Sequence, residues 1–336
     1  MSADQGVMKK VVITVAAIAV VIGVVLVVRN KSGSGPTEPM SKVTLAASKN
    51  PWTSLALIAD AKGFFAHEGL DLSIAYQDGG RYCMDALVSK SAEFATIVEV
   101  NVSYLGFTGN KNVAVIGSIV ESTSTGIIAR KSAGIQSAKD LRGKTLAFSP
   151  GTGSELFAIR FLEENGIQPD EVEMRKMQPK AIQGAMVANE VDAACTWDPF
   201  IENSRRALGN DAITFFDPDV YLGYMHVAVR RDWAAEHRED VTAFLRAVKR
   251  AGEFVTADPS EAQRIVAEKA AMDLDLVKSI WSLFRFGLSM DPKNGAGTAE
   301  GVAALIKANN PDFSDKPMPD YSLYFDDQFF HEAFED

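Results

Sequence analysis

The sequence predicts an α/β protein made of two doubly wound α/β lobes that are joined by two crossings. From Lys42 onward, strand-like runs alternate with helix-like runs, the pattern of βα units with helices on both faces of a mostly parallel sheet. A polar stretch, Ser122–Thr125, divides this alternation into two series. Helix starts are clearly marked, since Asn50-Pro51 and Asp198-Pro199 each combine an N-cap residue with a proline at the first helical position.

The first series predicts four strands with helices between them. Short runs rich in Val, Ile, Leu and Phe mark the strands, and some alternate with polar residues as half-buried strands do. Helices are expected to begin at Asn50, at Gly79-Gly80 and at about Asn101. The predicted strands are 43–47, 70–76, 94–98 and 113–120.

The second series follows the polar stretch and predicts the second lobe. After Arg231 the pattern is almost entirely helical to the end. We therefore expect residues 42–122 and 224–336 to form the first lobe and residues 123–223 the second, with crossings near 122–126 and 218–223. The predicted strands are 126–129, 144–148, 171–176, 191–197 and 221–229, and the predicted helices are 156–162, 181–187 and 199–208.

An apolar run near the N-terminus predicts a membrane-spanning segment. Val11–Val28 has 18 residues without a charge, just enough to cross a bilayer, and basic residues flank it on both sides. A cleaved signal peptide has a shorter apolar region followed directly by small residues, whereas Arg29 and Lys31 intervene here. An uncleaved anchor in residues 1–31, followed by a linker at 32–41, is therefore favoured over a cleaved signal. In either case the body of the protein is exported.

The charge balance argues against nucleic acid as a partner. The chain carries a net charge of −10, and because the residues before Ser41 carry +2, the remainder carries −12. Such an acidic body repels a phosphate backbone, although helix dipoles still attract a small anion locally. Two cysteines and four scattered histidines have no metal-ligand spacing, so neither a metal nor a cofactor is expected.

The most informative motif is the turn Ser149–Glu155, between a short strand and a helix. Thr152 and Glu155 fit the T-x-x-E capping box that marks a helix start. Glycines there leave backbone N–H groups beside the positive end of the helix dipole, where an anionic group is stabilised. The spacing matches neither the dinucleotide fingerprint nor a P-loop, so the motif indicates an anion-friendly helix start. An ordinary, well-capped βα turn is the alternative.

Four further loops follow strand ends and are expected to lie beside this turn. In open α/β sheets, ligands bind outside the carboxyl ends of the strands, so two facing lobes bring these loops to one cleft. Four of the five loops also begin helices, whose positive ends then point into the cleft. The five loops are 48–52, 79–82, 99–101, 151–154 and 197–198.

Several motifs occur in an order and spacing that is specific for one family. They are Ala59–Phe65 with Glu68–Asp71, Gly79-Gly80, Ser137–Lys144, Pro150–Gly153, Val191–Ala194 with Trp197–Pro199, and Phe244–Ala247. From Ser41 to the C-terminus the chain resembles the extracytoplasmic solute-binding proteins of ABC importers, in the group that handles nitrate, sulfonates, taurine and thiamine-pyrimidine precursors.

The resemblance implies a type II periplasmic-binding-protein fold, whose two lobes close on the ligand by hinge motion. Two features depart from the family. Its members usually have a cleaved signal or a lipidated cysteine, whereas a retained anchor is expected here. Arg81 and Cys83 stand where many relatives carry small polar residues, so the identity of the ligand does not transfer.

Twelve residues are candidates for binding the ligand. Trp52 either stacks on the ligand or covers a helix start, and Glu99 and Asp198 either contact the ligand or cap helices. Arg81, at a helix start, either makes a bidentate contact with a carboxylate or sulfonate or is a solvated surface charge. By the family resemblance, Trp197 lines the cleft. The full set is Asn50, Trp52, Gly80, Arg81, Glu99, Thr123, Gly151, Thr152, Gly153, Ser154, Trp197 and Asp198.

Together these features predict a protein that captures a small anionic or zwitterionic organic solute outside the cytoplasm and delivers it to an ABC permease, without chemistry. The expected partners are the solute, the permease subunits and, through the anchor, the cytoplasmic membrane; a monomer is expected. Two alternatives stay open. One is thiamine-pyrimidine-precursor binding or synthesis on the same fold, although the cysteine-rich motif of the synthases is absent and those enzymes work inside the cell. The other is a ligand-sensing subunit of a signalling system, which requires a separate partner.

Overall fold

The computed structural model describes residues 39–335, which contain eleven strands and fourteen α-helices. The strands are β1 (Ser41–Ser48), β2 (Leu70–Gln77), β3 (Phe94–Val98), β4 (Val113–Ser122), β5 (Thr125–Arg130), β6 (Thr145–Phe148), β7 (Glu173–Lys176), β8 (Ala193–Trp197), β9 (Ala212–Phe215), β10 (Gly223–Arg230) and β11 (Phe284–Ser289).

The helices alternate with these strands until β10 and then dominate the chain. They are α1 (Ser54–Ala61), α2 (Phe64–His67), α3 (Gly80–Val88), α4 (Glu99–Thr108), α5 (Gly153–Glu164), α6 (Pro179–Val187), α7 (Phe200–Leu208), α8 (Arg231–Glu236), α9 (Arg238–Ala257), α10 (Pro259–Ala270), α11 (Leu274–Ile280), α12 (Pro292–Asn309), α13 (Pro311–Ser314) and α14 (Gln328–Phe334). A 3₁₀ turn, Pro51–Thr53, precedes α1.

Two sheets carry the fold. The first has the strand order β11-β4-β10-β3-β1-β2, and the second has the order β7-β6-β8-β5-β9. The chain leaves the first sheet after β4, builds the whole second sheet, and returns to the first sheet at β10. Each sheet buries an apolar core of its own. In the first, for example, the Phe94 ring of β3 stacks on Phe244 of α9 at 4.2 Å between centroids.

The expectation of a mostly parallel sheet is wrong, because both sheets are mixed. Of the nine strand pairings in the described residues, four are parallel and five are antiparallel. The reason lies at the crossings. After each crossing the arriving strand, β5 or β10, enters the middle of its sheet and runs antiparallel to both neighbours.

The expectation of an almost entirely helical C-terminal part is also wrong at one place. β11 adds an antiparallel strand to the edge of the first sheet, beside β4. Phe284, Phe286 and Leu288 alternate with exposed residues there, the period-two pattern of a half-buried strand. The Phe284 ring packs edge-on against Trp52, at 5.7 Å between centroids, so β11 supports the start of α1 from behind.

The predicted loops follow the C-terminal ends of strands in both sheets. β1, β2 and β3 of the first sheet and β6 and β8 of the second each run directly into a turn or a helix start. Within residues 39–335, no helix combines the length and apolarity needed to cross a membrane. The predicted anchor, Val11–Val28, lies outside the described residues.

Candidate functional site

One pocket lies where the C-terminal ends of strands from both sheets come together. It has a volume of about 80 Å³. Residues that follow β1, β2 and β3 line it on one side, and residues that follow β6, β7 and β8 line it on the other. The first residues of α3, α5 and α6 lie in its wall. Several helix N-termini therefore face one small volume, and their dipoles make it favourable for negative charge.

Helix α3 begins at this pocket without a side-chain cap. The backbone N–H groups of Gly80, Arg81 and Tyr82 donate to no acceptor within residues 39–335. The Arg81 side chain is exposed and has no hydrogen bond or ion pair with the described residues. A Cβ on Gly80 would collide with the Asn101 side chain, so the glycine allows the start of α3 to approach the first turn of α4. This helix start offers three free donors and one free guanidinium.

Helix α5 begins on the opposite side, and its start is largely closed by its own side chains. The Thr152 hydroxyl accepts from the Ser154 N–H at 3.2 Å, and the Glu155 carboxylate accepts from the Gly151 N–H at 2.7 Å. Gly151 has φ +70°, a conformation that favours glycine. In the part of the chain that the structure describes, only the N–H groups of Thr152 and Gly153 at this turn lack an acceptor.

Aromatic and thioether side chains form the walls. Trp52, which is 4% exposed, lines one side, and its indole Nε1 is buried without a hydrogen-bond partner among the described residues. Trp197 lines the other side and packs edge-on against Phe200, at 5.7 Å between centroids. Met177 and Met225 fill the space between the polar groups. Flexible thioethers and flat rings suit a ligand with an apolar body.

Tyr221 forms the floor of the pocket, and the buried Glu99 lies beneath Tyr221. The Tyr221 hydroxyl donates a short hydrogen bond to Glu99, whose carboxyl group is fully buried. A Cβ on Gly153 would come 2.5 Å from the Tyr221 phenol oxygen, so Tyr221 lies directly against the start of α5. Burial raises the pKa of Glu99, and the hydrogen bond from Tyr221 only partly offsets this effect.

Polar contacts cross the pocket between residues that follow strands of the two sheets. At the rim, Lys180 pairs with Asp78 at 2.5 Å, and the Tyr82 hydroxyl approaches Gln178 at 3.5 Å. Deeper, the Asn101 amide donates to the Gly151 carbonyl at 3.4 Å. These contacts hold the two sides of the pocket together.

Seven of the twelve candidate residues line this pocket. They are Asn50, Trp52, Gly80, Arg81, Thr152, Gly153 and Trp197. Asn50 also orders its own turn, because its side chain accepts from the Trp52 N–H at 3.1 Å. Contact of these seven residues with a ligand stays a prediction.

The other five candidates do not line the pocket, and each has a local role. Glu99 lies beneath it, bonded to Tyr221, and Gly151 lines a neighbouring surface cavity. The Ser154 hydroxyl accepts from the Ser149 N–H at 3.0 Å. The Thr123 N–H donates to the Leu283 carbonyl at 3.1 Å, and Thr125, two residues on, lines the pocket instead. The fifth is Asp198.

Asp198 holds the first turn of α7. Its carboxylate accepts from the Glu202 N–H at 2.9 Å, and the side chain is almost completely buried. Burial raises the pKa of Asp198 to about 7, against the opposing effect of that hydrogen bond. Of the two roles that the sequence left open for Asp198, contact with the helix start is the observed one. The predicted position is shifted by one residue, since Pro199 is the N-cap and the helix begins at Phe200.

Sequence reasoning missed several pocket residues, above all Tyr221. It also missed Met177, Met225 and Thr125, whereas Tyr82 ends the loop 79–82 that was expected at the cleft but was not named as a binding residue. The signal for Tyr221 was its position just before β10, at the second predicted crossing, because a crossing between two facing sheets borders the space between them. No comparable signal marks the methionines, since a methionine at a strand end has the same pattern whether it is core or pocket wall.

Nothing in the described residues has the donor set of a metal site. No group of three or more His, Cys, Asp or Glu side chains in residues 39–335 is arranged to hold a metal ion. Cys83 and Cys195 are both buried and reduced. Burial raises the pKa of the Cys83 thiol to about 12 and that of Cys195 well above its usual value, so both are small apolar residues at neutral pH.

Comparison with known proteins gives the family. Residues 50–262 match the family model described as "NMT1/THI5 like", which is more than half of the chain. A binding protein of Brucella abortus is 28% identical over 260 residues, 76% of this chain and 76% of the relative. The taurine-binding periplasmic protein of Escherichia coli is 26% identical over 214 residues, 61% of this chain and 64% of the relative.

Solved structures show the same fold. The periplasmic aliphatic sulphonate binding protein of Escherichia coli superposes with a TM-score of 0.73 at 16% identity, covering 84% of this chain and 97% of that one. The chain therefore belongs to the NMT1/THI5-like family and has a mixed α/β, periplasmic-binding-protein-like fold with two sheets. The family resemblance predicted from the sequence is confirmed.

Proposed function

We propose that this member of the NMT1/THI5-like family is the substrate-binding component of an ABC importer. It captures a small organic anion or zwitterion, such as a sulfonate or taurine, outside the cytoplasm and delivers it to a permease. The names of the relatives, a taurine-binding and a sulphonate-binding periplasmic protein, support this class of ligand. The protein performs no chemistry in this proposal, and it acts as a monomer.

One observation carries the proposal. The starts of α3 and α5 face each other across one pocket and together leave five backbone N–H groups without acceptors in residues 39–335. Arg81 adds a guanidinium that matches the geometry of a sulfonate or carboxylate. An oxyanion head satisfies these donors, while Trp52, Trp197 and the methionines cover the body of the solute.

Closure around the solute is the proposed mechanism. The crossings at 122–126 and 218–223 act as hinges between two lobes, 42–122 with 224–336 and 123–223. Ligand binding favours the closed form by its differential affinity for that form. The rim contacts of Asp78 with Lys180 and of Tyr82 with Gln178 then close the pocket entrance.

Location follows from the same proposal. The body works outside the cytoplasm, tethered to the cytoplasmic membrane by Val11–Val28. N-terminal sequencing of the protein recovered from membranes checks the tether, because a chain that begins near Gly35 has lost it.

The aromatic walls also favour a second candidate, a thiamine-pyrimidine precursor. Trp52 and Trp197 lie on different sides of the pocket, where a flat ring stacks well. In this case Arg81 binds a phosphate or a ring oxygen of the ligand.

A ligand screen with the full-length protein decides between these candidates. A ligand that binds the native state raises the melting temperature. At a ligand concentration of 100 times the Kd, the free energy of unfolding increases by about 2.7 kcal/mol. We expect alkanesulfonates, arylsulfonates or taurine to raise it, and nitrate to do so less, because nitrate leaves the apolar walls uncovered. Stabilisation by pyrimidines alone supports the second candidate. Stabilisation by neutral sugars or cations, with none by any anion or zwitterion, contradicts both.

A further inference from the structure

Beneath the floor of the pocket lies a carboxyl group that an anion-binding site does not need. Glu99, the first residue of α4, is fully buried, and its carboxyl lies under Tyr221. Tyr221 in turn lies against Gly153 at the start of α5, where two free N–H groups face the pocket. Only one side chain therefore separates Glu99 from the place where the anion is proposed to bind.

Few groups compensate this carboxyl. Tyr221 donates to one of its oxygens, the Tyr224 backbone N–H approaches the other at 3.5 Å, and the backbone N–H of Glu99 itself also stabilises the charged form. The charged group that faces it from α5 is Arg160, which acts at a distance and donates to the Val220 carbonyl. Burial raises the pKa of Glu99 above its ordinary value, and these groups oppose that rise only in part.

We propose that Glu99 sets the charge selectivity of the pocket: together with Tyr221 it restricts the anion at the start of α5 to a single negative charge. This inference rests on the proposed function, since it takes an anion bound at that helix start as given. Sulfonates meet the restriction at every physiological pH, whereas phosphonates of the same shape carry a second charge in alkaline solution.

The hydrogen-bond direction supports the restriction. Because the Tyr221 hydroxyl gives its proton to Glu99, it turns only oxygen lone pairs toward the start of α5. It therefore adds no donor for the anion. The available donors are partial charges at two helix starts plus Arg81, which suit one negative charge.

Binding of the anion is also linked to protonation of Glu99. An anion beside the Tyr221–Glu99 pair disfavours the ionised carboxyl and raises its pKa further. Affinity is then highest below the pKa of Glu99 in the free protein and falls as the pH rises through it. A dianion experiences about twice this repulsion, so its affinity falls more steeply with pH. With an effective dielectric constant of about 20, a unit charge about 8 Å from a carboxylate weakens binding about 30-fold.

Isosteric ligand pairs test the proposal on the full-length protein. The probes are benzenesulfonate with phenylphosphonate and ethanesulfonate with ethylphosphonate, measured by calorimetry at about pH 6 and about pH 9. For the parent, we expect the preference for sulfonate over phosphonate to grow by about 10- to 30-fold between these pH values. Glu99→Gln keeps an acceptor for Tyr221 but has no charge. In this variant, we expect the preference for sulfonate to grow by less than about threefold between the same two pH values.

Two further variants separate charge from shape. Tyr221→Phe removes the hydrogen bond and the phenol oxygen but leaves the buried carboxyl, so we expect the pH-dependent preference to decrease less than in Glu99→Gln. Glu163→Gln removes one exposed charge near the far end of α5 and leaves the preference as in the parent. If the preference for sulfonate over phosphonate changes with pH equally in Glu99→Gln and in the parent, the proposal is overturned. Binding of sulfonate by both proteins in that case still supports the proposed function.

The parent alone gives a second readout, which holds even if Glu99→Gln does not fold. Calorimetry of sulfonate binding in two buffers of different ionisation enthalpy measures protons taken up, and we expect net uptake within the range of about pH 5 to 9. Zero uptake throughout that range overturns the proposal. Absence of binding by every sulfonate and phosphonate contradicts the proposed function itself.

Discussion

Two glycine-led helix starts face the pocket, and they are built in opposite ways. The start of α3 has no side-chain cap and leaves the N–H groups of Gly80, Arg81 and Tyr82 without acceptors in residues 39–335. The start of α5 uses a threonine hydroxyl and a glutamate carboxylate to satisfy two of its own donors. Thr152 and Glu155, the motif that marked α5 in the sequence, do not form the predicted reciprocal capping box, because Glu155 accepts from the Gly151 N–H and not from the Thr152 N–H. Their side chains are nevertheless the reason why α5 has fewer donors left for a ligand.

We call a helix start closed when side chains of the protein accept from its N–H groups, as in α5, and open when those N–H groups lack acceptors, as in α3. The start of α7 is closed. Asp198 occupies it with a buried carboxylate, so it too serves the fold and leaves little for a ligand. Altering a closed start is therefore expected mainly to change the free energy of unfolding, and altering the open start of α3 is expected mainly to change affinity. The following predictions test the division, from the largest expected effect to the smallest.

The largest effect is expected at Asp198, as a change in how stability depends on pH. Its pKa is raised from 3.8 to about 7 in the folded protein, so the native state holds this proton more tightly than the unfolded chain. The contribution to stability is complete below about pH 4 and is lost as the pH rises through about 7. At about 1.4 kcal/mol per pKa unit, the loss approaches about 4 kcal/mol.

Denaturant unfolding of Asp198→Asn and the parent between about pH 4 and 8 measures this difference. The amide keeps an acceptor for the Glu202 N–H and does not ionise, so the stability of the parent falls relative to the variant as the pH rises. Asp170→Asn, at an exposed aspartate, is the matched control and follows the parent. Parallel pH profiles for Asp198→Asn and the parent contradict the prediction.

Arg81→Ala is expected to give the largest change in affinity. A charged hydrogen bond contributes about 1.5–3 kcal/mol, so loss of the guanidinium weakens binding of an anionic ligand by about 10- to 150-fold. The melting temperature without ligand stays nearly unchanged, because the side chain is exposed and makes no hydrogen bond or ion pair with the described residues. Calorimetry and thermal melting measure the two quantities. The control is Arg285→Ala, at an exposed arginine on β11. Unaltered affinity in Arg81→Ala means that the anion does not bind at the start of α3.

Thr152→Ala is expected to lower both stability and affinity, each by a smaller amount. The hydroxyl caps the Ser154 N–H, and loss of such a cap costs about 1 kcal/mol of unfolding free energy. Thr152 also lines the pocket, so the same change reduces affinity. Thr152→Ser keeps the hydroxyl and is expected to retain most of both. A variant with lower affinity and parental stability argues against the closed character of the α5 start.

The sequence predicted the elements around the pocket better than the pocket itself. Strand ends and helix starts depend on local patterns, such as Asn50-Pro51 or the glycines before α3, and these were predicted correctly. The antiparallel entry of β5 and β10 depends on contacts between distant residues, which no local pattern records. For the same reason, the bond between Tyr221 and Glu99, 122 residues apart, was not predictable.

The smallest effect is expected at the rim, where Lys180 pairs with Asp78. The two side chains are 70% and 61% exposed, so solvent screens the pair and its contribution stays below about 1 kcal/mol. It joins residues on opposite sides of the pocket, so it forms only when the pocket is closed. Lys180→Ala is therefore expected to weaken binding less than about fivefold and to leave the melting temperature without ligand unchanged.

The effect of Lys180→Ala on binding is expected to disappear at high salt, and it is not additive with that of Asp78→Asn. Small-angle scattering at saturating ligand provides the structural readout, with the same compact particle expected for the variant and the parent. Lys176→Ala, at an exposed lysine on β7, controls for the charge change. A loss of affinity as large as that of Arg81→Ala would move the main anion contact from α3 to the start of α6.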